Sequence, residues 1–533
     1  MSDDPTDTTP NPNADPAASD PTGLSGLSGP TGVDPGGPSA GTHRVARPVS
    51  TEDLPDRTDA LLAQGYRLAL VAGHDDGHQF RAVYLFLQGR PDRRVELHLP
   101  IDHDTPTVPT LATLSFPAGR FEREMHDLYG ITPIDHPQPR RLVRHHHWPR
   151  GWYPMRRDAG PAPAFGDTDG PYPFLAVDGP GVYEIPVGPV HAGLIEPGHF
   201  RFSVVGETII KLKARLWFVH KGIEALFHGR SPADGLPLAE RVSGDTTVGH
   251  ALAFSLAVED ATGRPAPPEA APMRAVVLEL ERLYNHVTDL GALCNDVGHS
   301  ILNAHAQRVR EHLLRLNADV TGHRLLRGAV HPGGATLHRL PDLDRLAALT
   351  ADAAEIADLA LQHSVVHDRF SGTAVLTTQQ ARDIGVLGYV ARASGLHADA
   401  RIQHPICALP DILGPTSHTG GDVLARFQIR AAEIATSTAL IAHLAGDLPT
   451  GHVNEGQPPA TRRSSGVGIV EGWRGTIVHR IETGPDGTLT RVKIVDPSFF
   501  NWPALPVALA NTIVPDFPLV NKSFNLSYAG NDL

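Results

Sequence analysis

The sequence predicts an α+β protein: a small antiparallel-sheet α/β N-terminal domain, then a mainly helical domain flanked by β structure. Three observations predict it. Apolar segments at 66–72, 80–87 and 94–99 are separated by the turn-like GHDDGH and QGRPDRR, the pattern of an antiparallel meander. From Val276 through Leu280, Leu283, Val287, Leu290 and Cys294 to Val297, apolar residues recur at spacings of four and three, one stripe of a long helix. Near the end, Gly484-Pro485-Asp486-Gly487 reads as the turn between strand-like runs at 476–481 and 489–495.

Residues 1–48 are rich in Pro, Gly, Ser, Thr and Asp and nearly devoid of large apolar side chains. They cannot offset their ordering entropy by burial and are expected to be a disordered tail. Residues 49–148 hold the meander and then RFEREMHDLY at 120–129, a short charged helix ended by Gly130. Residues 149–181, rich in Pro and Gly, read as a linker to a second domain, 182–533. There 182–213 is strand-like. The long helix starts after Pro272, and a second follows at about 303–326 with Val309, Leu313, Leu316 and Val320 on one face. More helices are expected near 341–368, 378–394 and 421–446, which suggests a bundle, before strands return at 467–495.

Composition narrows the function. A chain of 533 residues with net charge −13 and no basic stripe argues against a nucleic-acid partner. Two cysteines, Cys294 and Cys407, exclude a disulfide scaffold and cannot supply the four ligands of a standard Fe–S cluster, so any cluster nearby belongs to a partner. No apolar run approaches the roughly 18 residues that a membrane span needs.

Two short segments are the most informative. Arg241-Val242-Ser243-Gly244-Asp245-Thr246-Thr247-Val248-Gly249-His250 resembles the R-x-C-G-x-C-x-x-x-H box of nickel–iron hydrogenase large subunits. Asp496-Pro497-Ser498-Phe499-Phe500-Asn501 resembles their D-P-C-x-x-C box. Ser243, Thr246, Ser498 and Asn501 stand where that family carries four metal-binding thiolates. Further stretches are similar to the same group: 121–158 to the 30 kDa-type subunit of complex I, and 188–202, 220–229, 279–286, 391–401 and 467–475 to hydrogenase and complex I 49 kDa-type subunits. Their order is that of the fused large subunit of formate hydrogenlyase-type (group 4) membrane hydrogenases. The resemblance implies a chain docked on an Fe–S small subunit and membrane-arm subunits of a complex I-like assembly, peripheral, at the cytoplasmic face of the membrane.

The resemblance also assigns candidate site residues. Hydroxyls and an amide do not replace soft thiolates, so no metal is expected at Ser243, Thr246, Ser498 and Asn501, and a nickel–iron centre is not expected. His250 is either a proton donor or a hydrogen-bonded core histidine. His191 and His199 fall in a loop whose counterpart in complex I approaches a quinone, so they mark a quinone or acceptor pocket. The loop carries extra residues, and the quinone-facing Tyr of complex I falls at Gly244. Glu224 matches a proton-relay glutamate, the alternative being a solvated helix face. His199, His250 and Glu224 are thus the catalytic candidates. Arg392, Ser394, Asp399 and Arg401 match a box expected to pair across the domain, and His136 with His145–His147 does not have zinc-site spacing. The stretch after Asn501, with Ile513, Phe517, Leu519 and Phe524, is expected to pack. The readings are a redox-complex subunit that couples electrons to proton transfer, a non-catalytic scaffold, or an active hydrogenase, which the missing thiols disfavour.

Overall fold

A four-stranded sheet opens the fold: β1 (His43–Pro48), β2 (Arg67–Asp75), β3 (Phe80–Gln88) and β4 (Arg93–Ile101), in the order β1-β4-β3-β2, with α1 (Leu54–Ala63) between β1 and β2. The computed structural model describes residues 43–166, 170–192, 195–410, 417–446, 448–454, 456 and 463–533. The three expected strands form the antiparallel meander. His43–Pro48, read from sequence as the end of the tail, is instead a strand parallel to β4. Its apolar content is too low to announce a strand. What fixes it is backbone pairing to the edge of β4 and Arg44, which reaches Glu96 at 3.3 Å, Asp260 at 3.1 Å and the carbonyl of Ser465 at 2.7 Å. The rest of the expected tail lies outside the described residues.

Between the short strands β5 (Thr107–Pro109) and β6 (Thr132–Ile134) runs α2 (Phe116–Tyr129), ended by Gly130 at φ 73°. Its charged residues are mostly buried, because each carboxylate has a partner. Glu122 accepts from the Leu111 N–H at 2.6 Å, Asp127 from the Leu142 and Val143 N–H groups at 2.6 and 2.8 Å, and Glu124 from Lys493 at 2.8 Å.

The second part begins with an antiparallel sheet of β7 (Val182–Val187), β8 (His199–Val205) and β9 (Thr208–Arg215). Helices follow: α3 (Ile223–Leu226), α4 (Pro232–Ala239), α5 (Thr247–Thr262), α6 (Ala270–Asp296) and α7 (Ser300–Thr321). After the hairpin β10 (Val330–His331) and β11 (Gly334–Leu337) come α8 (Leu343–Gln362), α9 (Ser364–Phe370), α10 (Thr378–Ile384), α11 (Gly388–Ala393), α12 (Ala400–Gln403) and α13 (Val423–Ala445). Strand β12 (Gly451–Asn454) pairs with β11, and β13 (Ser464–Gly472), β14 (Gly475–Thr483) and β15 (Leu489–Val495) form the predicted closing meander. Short helices α14 (Pro497–Asn501), α15 (Ala504–Ala508), α16 (Phe517–Phe524) and α17 (Tyr528–Asn531) complete the fold. Phe517, Leu519 and Phe524 are buried as expected, whereas Ile513 is exposed. No described helix is long and apolar enough to cross a membrane.

One expected helix, 378–394, is broken into α10 and α11. Gly388 adopts φ 66°, and a Cβ there would overlap the Arg474 carbonyl, so the backbone turns where it meets β14. A similar close approach sets α5 against β13: a Cβ on Gly468 would overlap the Ala253 carbonyl. This contact brings the start of α5 to the β13–β14 hairpin.

Helix α6 is buried on both of its faces. The apolar stripe faces the core as read. The opposite face carries Glu279, Arg282, His286 and Asp289, spaced by three and four, and these meet charges on α11, α12, α13 and β13. Glu433 receives His286 Nε2 at 2.8 Å and Arg392 at 2.7 Å. Arg392 also pairs with Glu471 at 2.9 Å and Asp399 at 3.6 Å, and Arg401 bridges Asp399 and Glu279 at 2.7 and 3.2 Å. The expected pairing of Arg392, Asp399 and Arg401 is therefore part of a larger network. Burial alone would raise Glu433, but Arg392, His286 and Arg282 hold it well below the usual carboxylate range.

Removing one member of this network leaves buried guanidinium charge uncompensated. Glu433→Ala should destabilise the fold by about 3–5 kcal/mol in urea unfolding. Glu311→Ala, which removes an exposed carboxylate shared by Arg315 and Arg324, should not move the midpoint measurably.

Candidate functional site

The two hydrogenase-like boxes meet where the N-terminus of α5 faces α14. Ser243 and Thr246 lie in the turn before α5, and Ser498 and Asn501 on α14 just after β15. All four side chains are buried and engaged with protein atoms. Ser243 Oγ donates to Asp245 at 2.9 Å and lies 2.8 Å from Ser527 Oγ. Ser498 Oγ accepts the Ser527 N–H at 2.9 Å. Thr246 Oγ1 donates to Asp245 at 3.0 Å and accepts from Trp473 Nε1 at 3.1 Å and Arg474 at 3.2 Å. Asn501 is clamped to the main chain of Leu387, accepting its N–H at 2.8 Å and donating to its carbonyl at 3.1 Å. Three of the four positions are thus brought together through Ser527 and Asp245, while Asn501 faces the α10–α11 break.

This donor set does not fit a nickel–iron centre. It offers hard oxygens and an amide, each already spent on a protein partner, where such a centre needs soft thiolates. The two cysteines are buried elsewhere, Cys294 on α6 and Cys407 after α12. Among the described residues no group of three or more His, Cys, Asp and Glu side chains is arranged to hold a metal ion.

The centre of the cradle is an ion pair. Arg474 grips both oxygens of Asp245, at 2.6 and 2.7 Å, and donates through Nε to the Asn525 carbonyl. Burial alone would raise Asp245. The Arg474 charge and the hydrogen bonds from Arg474, Ser243 and Thr246 outweigh it and hold the carboxyl at about 2. The Asp245 side chain keeps 39% of its surface exposed, so solvent screens part of this attraction.

Behind the cradle, His250 is fully buried between Asp496 and His479, with Nε2 3.0 Å from Asp496 Oδ2 and Nδ1 3.0 Å from His479 Nε2. Burial acts against the Asp496 charge, but His250, Arg474 and the Ser498 side chain together keep that carboxyl below its ordinary range. Burial, and then the neighbouring His250 charge, depress His479 well below the usual imidazole value. With Asp496 ionised, His250 Nε2–H donates to it. With Nε2–H spent on Asp496, the Nδ1 lone pair of a neutral His250 ring accepts from His479 Nε2–H. His250 therefore has the partners of a proton carrier and also those of a hydrogen-bonded core histidine.

The remaining predicted residues sit apart from this centre. His191 Nε2 is 2.8 Å from the Gly198 carbonyl, and His199 Nδ1 is 3.2 Å from the Gly188 carbonyl, so each ring bonds the main chain of its own loop. That loop touches the C-terminal segment: the Ala529 N–H donates to Glu196 at 3.1 Å, and Ser527, two residues earlier, belongs to the cradle. Glu224 is 6% exposed, which overturns the solvated-face reading. It accepts from Arg491 at 2.7 Å and from the Ile494 N–H at 2.9 Å, and Lys493 lies 3.1 Å away, shared with Glu124 of α2. Burial would raise Glu224, but Lys493 and Arg491 lower it. Burial and the Glu224 charge raise Glu124 despite Lys493. His136 and His145 bond the carbonyls of Gly119 and Trp217.

Sequence reading missed Arg474, His479, Ser527 and Glu281. Arg474 and His479 sit in or near the VGIVEGWRG match, but nothing in their spacing announces that β14 faces the cradle. Glu281 accepts the Val248 and Gly249 N–H groups at 2.6 and 3.0 Å, capping α5 directly behind Thr246. Burial pushes this carboxyl up to about 8, against the lowering effect of those two N–H groups. A raised carboxyl stabilises the fold fully below its ordinary value of about 4.3, and that contribution is lost as pH climbs through the folded value. Urea midpoints should therefore fall between about pH 5 and about pH 9, and Glu281→Gln should flatten that slope. An unchanged slope would show that Glu281 is ionised at neutral pH.

Comparison with known proteins places this geometry in a family. Residues 48–163 match the model of the respiratory-chain NADH dehydrogenase 30 kDa subunit, 296–465 that of its 49 kDa subunit, and 221–295 that of nickel-dependent hydrogenase. Formate hydrogenlyase subunit 5 of Escherichia coli is 32% identical over 509 residues, covering 91% of this chain and 88% of that protein. Hydrogenase-4 component G of the same organism is 31% identical over 92% and 88%. The fused C/D polypeptide of the NADH-quinone oxidoreductase of Phocaeicola vulgatus is 28% identical over 74% and 80%. A chain in the structure of the membrane-bound sulfane sulfur reductase, an archaeal respiratory membrane complex, shares the fold with TM-score 0.61 at 22% identity, covering 66% of this chain and 98% of that one. The protein therefore belongs to the family of formate hydrogenlyase-type membrane hydrogenase large subunits and the related 30 kDa/49 kDa-type subunits of complex I.

Proposed function

We propose that the chain is the large subunit of a membrane-associated, hydrogenase-related oxidoreductase complex, that it receives electrons from the Fe–S cluster of a partner subunit, and that it couples them to proton transfer without a nickel–iron centre. The observation that carries this reading is the hydrogen-bonded closure of the cradle. Ser243, Thr246, Ser498 and Asn501 are all satisfied by the protein, while titratable groups, Asp496, His250 and His479, stand beside it. Asp496, His250 and His479 form one line of exchangeable protons. Glu224 and Glu124, joined by Lys493, form another at the junction of the two parts of the chain. A docked Fe–S subunit and membrane-arm subunits, at the cytoplasmic face, are the partners this family membership suggests. A quinone at the His191/His199 loop is the acceptor to test first, because His199 keeps its ring half-buried at the start of β8.

The scaffold reading has one observation in its favour: the cradle is filled by the chain's own C-terminal segment through Ser527. The two readings part in the intact complex. Metal analysis should find iron from partner clusters and only trace nickel. Asp496→Asn should reduce electron transfer to a quinone about 100-fold while the complex still assembles. His199→Ala should lower the rate with the same quinone. Stoichiometric nickel, or hydrogen evolution lost on altering Ser243, would refute the proposal. Turnover unaffected by both substitutions would leave the scaffold.

A further inference from the structure

A cavity of about 260 Å³ lies between α2 and the second part of the chain, and none of its described lining residues is one of the cradle's four positions, His191 or His199. Arg120 and Arg123 reach it from α2, Arg215 from the end of β9, Gln138 and Tyr172 from the connecting segments, and Trp502 from beyond α14. No described residue lining it is acidic. Arg120 and Arg215 are 8% and 4% exposed. Among the described residues none of the three guanidiniums pairs with a carboxylate. Arg120 donates to the Phe499 carbonyl and to Asn531, Arg123 to the carbonyls of Arg140 and Arg141, and Arg215 to those of Leu142 and Arg144. Aromatic faces cover what remains, with Phe499 4.4 Å from Arg120 and Tyr172 4.6 Å from Arg215. Among the described residues, buried Arg215 Nε has no hydrogen-bond partner.

Asp127 acts on Arg123 and Arg215, and Glu124 and Asp532 on Arg120, only from beyond ion-pair distance, so these buried cations are partly compensated at best, and a planar N–H donor left unpaired beside a cavity adds to that cost. Burial, and then the Arg123 charge, lower Arg120 to about 9, and burial lowers Arg215 to about 10, so both guanidiniums stay charged at neutral pH. The cavity is large enough for a small molecule and is walled by forked donors that match planar or tetrahedral oxyanions.

We infer that this cavity is a binding site for a small oxyanion, a carboxylate or a phosphate, held by Arg120, Arg123 and Arg215. The ligand would join α2 to β9 through charge, tying the N-terminal part to the part that carries the cradle.

Titration calorimetry of the full chain and of the intact complex, with inorganic phosphate and with succinate as separate probes, tests this. At least one should bind both preparations at one site, and the other distinguishes phosphate from carboxylate chemistry. Arg215→Gln should weaken that binding about tenfold or more. A second variant guards against misfolding: Gln138→Glu places a carboxylate at the cavity wall and should abolish binding while raising the thermal midpoint. Neither probe binding, or equal binding by both variants, would overturn the site. So would binding that vanishes on assembly, which would assign the arginines to a partner's acid.

Discussion

The charge network around Glu433 is the constraint on which the rest of this fold depends. It lets α6 be buried on both faces, so the helix can run through the middle of the domain rather than along its surface. A helix with one apolar stripe would otherwise demand water on its other side. Here Glu279, Arg282 and His286 find Arg401 and Glu433 instead, and the main chain of β13 accepts from Arg282 at Gly472 and Glu471. Because the same helix carries Glu281, Tyr284 and Asn285, which hold the α5 N-terminus and the Asp245 carbonyl, the ion network fixes the back wall of the cradle.

The cradle illustrates how a buried polar site closes on itself. Unsatisfied donors and acceptors there would be costly. The chain resolves this with hydroxyls that bond one another, with Arg474 closing on Asp245, and with Ser527 reaching both boxes. Titratable groups, Asp496, His250 and His479, stand directly behind this closed network.

Much of the architecture was legible because its signals are local. The strands at 67–75, 80–88 and 93–101, the stop at Gly130 and the Gly484–Gly487 turn all follow from alternation and turn chemistry. The boxes around Ser243 and Ser498 were legible as motifs. What was not legible is long-range. The parallel pairing of β1 with β4 leaves no periodic trace in six residues. The break at Gly388 depends on the Arg474 carbonyl more than eighty positions away. Glu224 left a relay and a solvated face both open because its partners, Arg491 and Lys493, come from β15. The roles of Arg474, His479 and Ser527 exist only once β14 and the C-terminal segment have folded back onto α5.

Ser527 has a consequence for how this protein is made. Its hydroxyl and N–H link Ser243 to Ser498, yet it lies 284 positions beyond the first of these and 29 beyond the second. The two boxes cannot be locked together until synthesis has run well past both of them, however early α5 and α6 associate. Closure of this centre therefore comes late in biogenesis, timed by the emergence of a stretch that belongs to neither box.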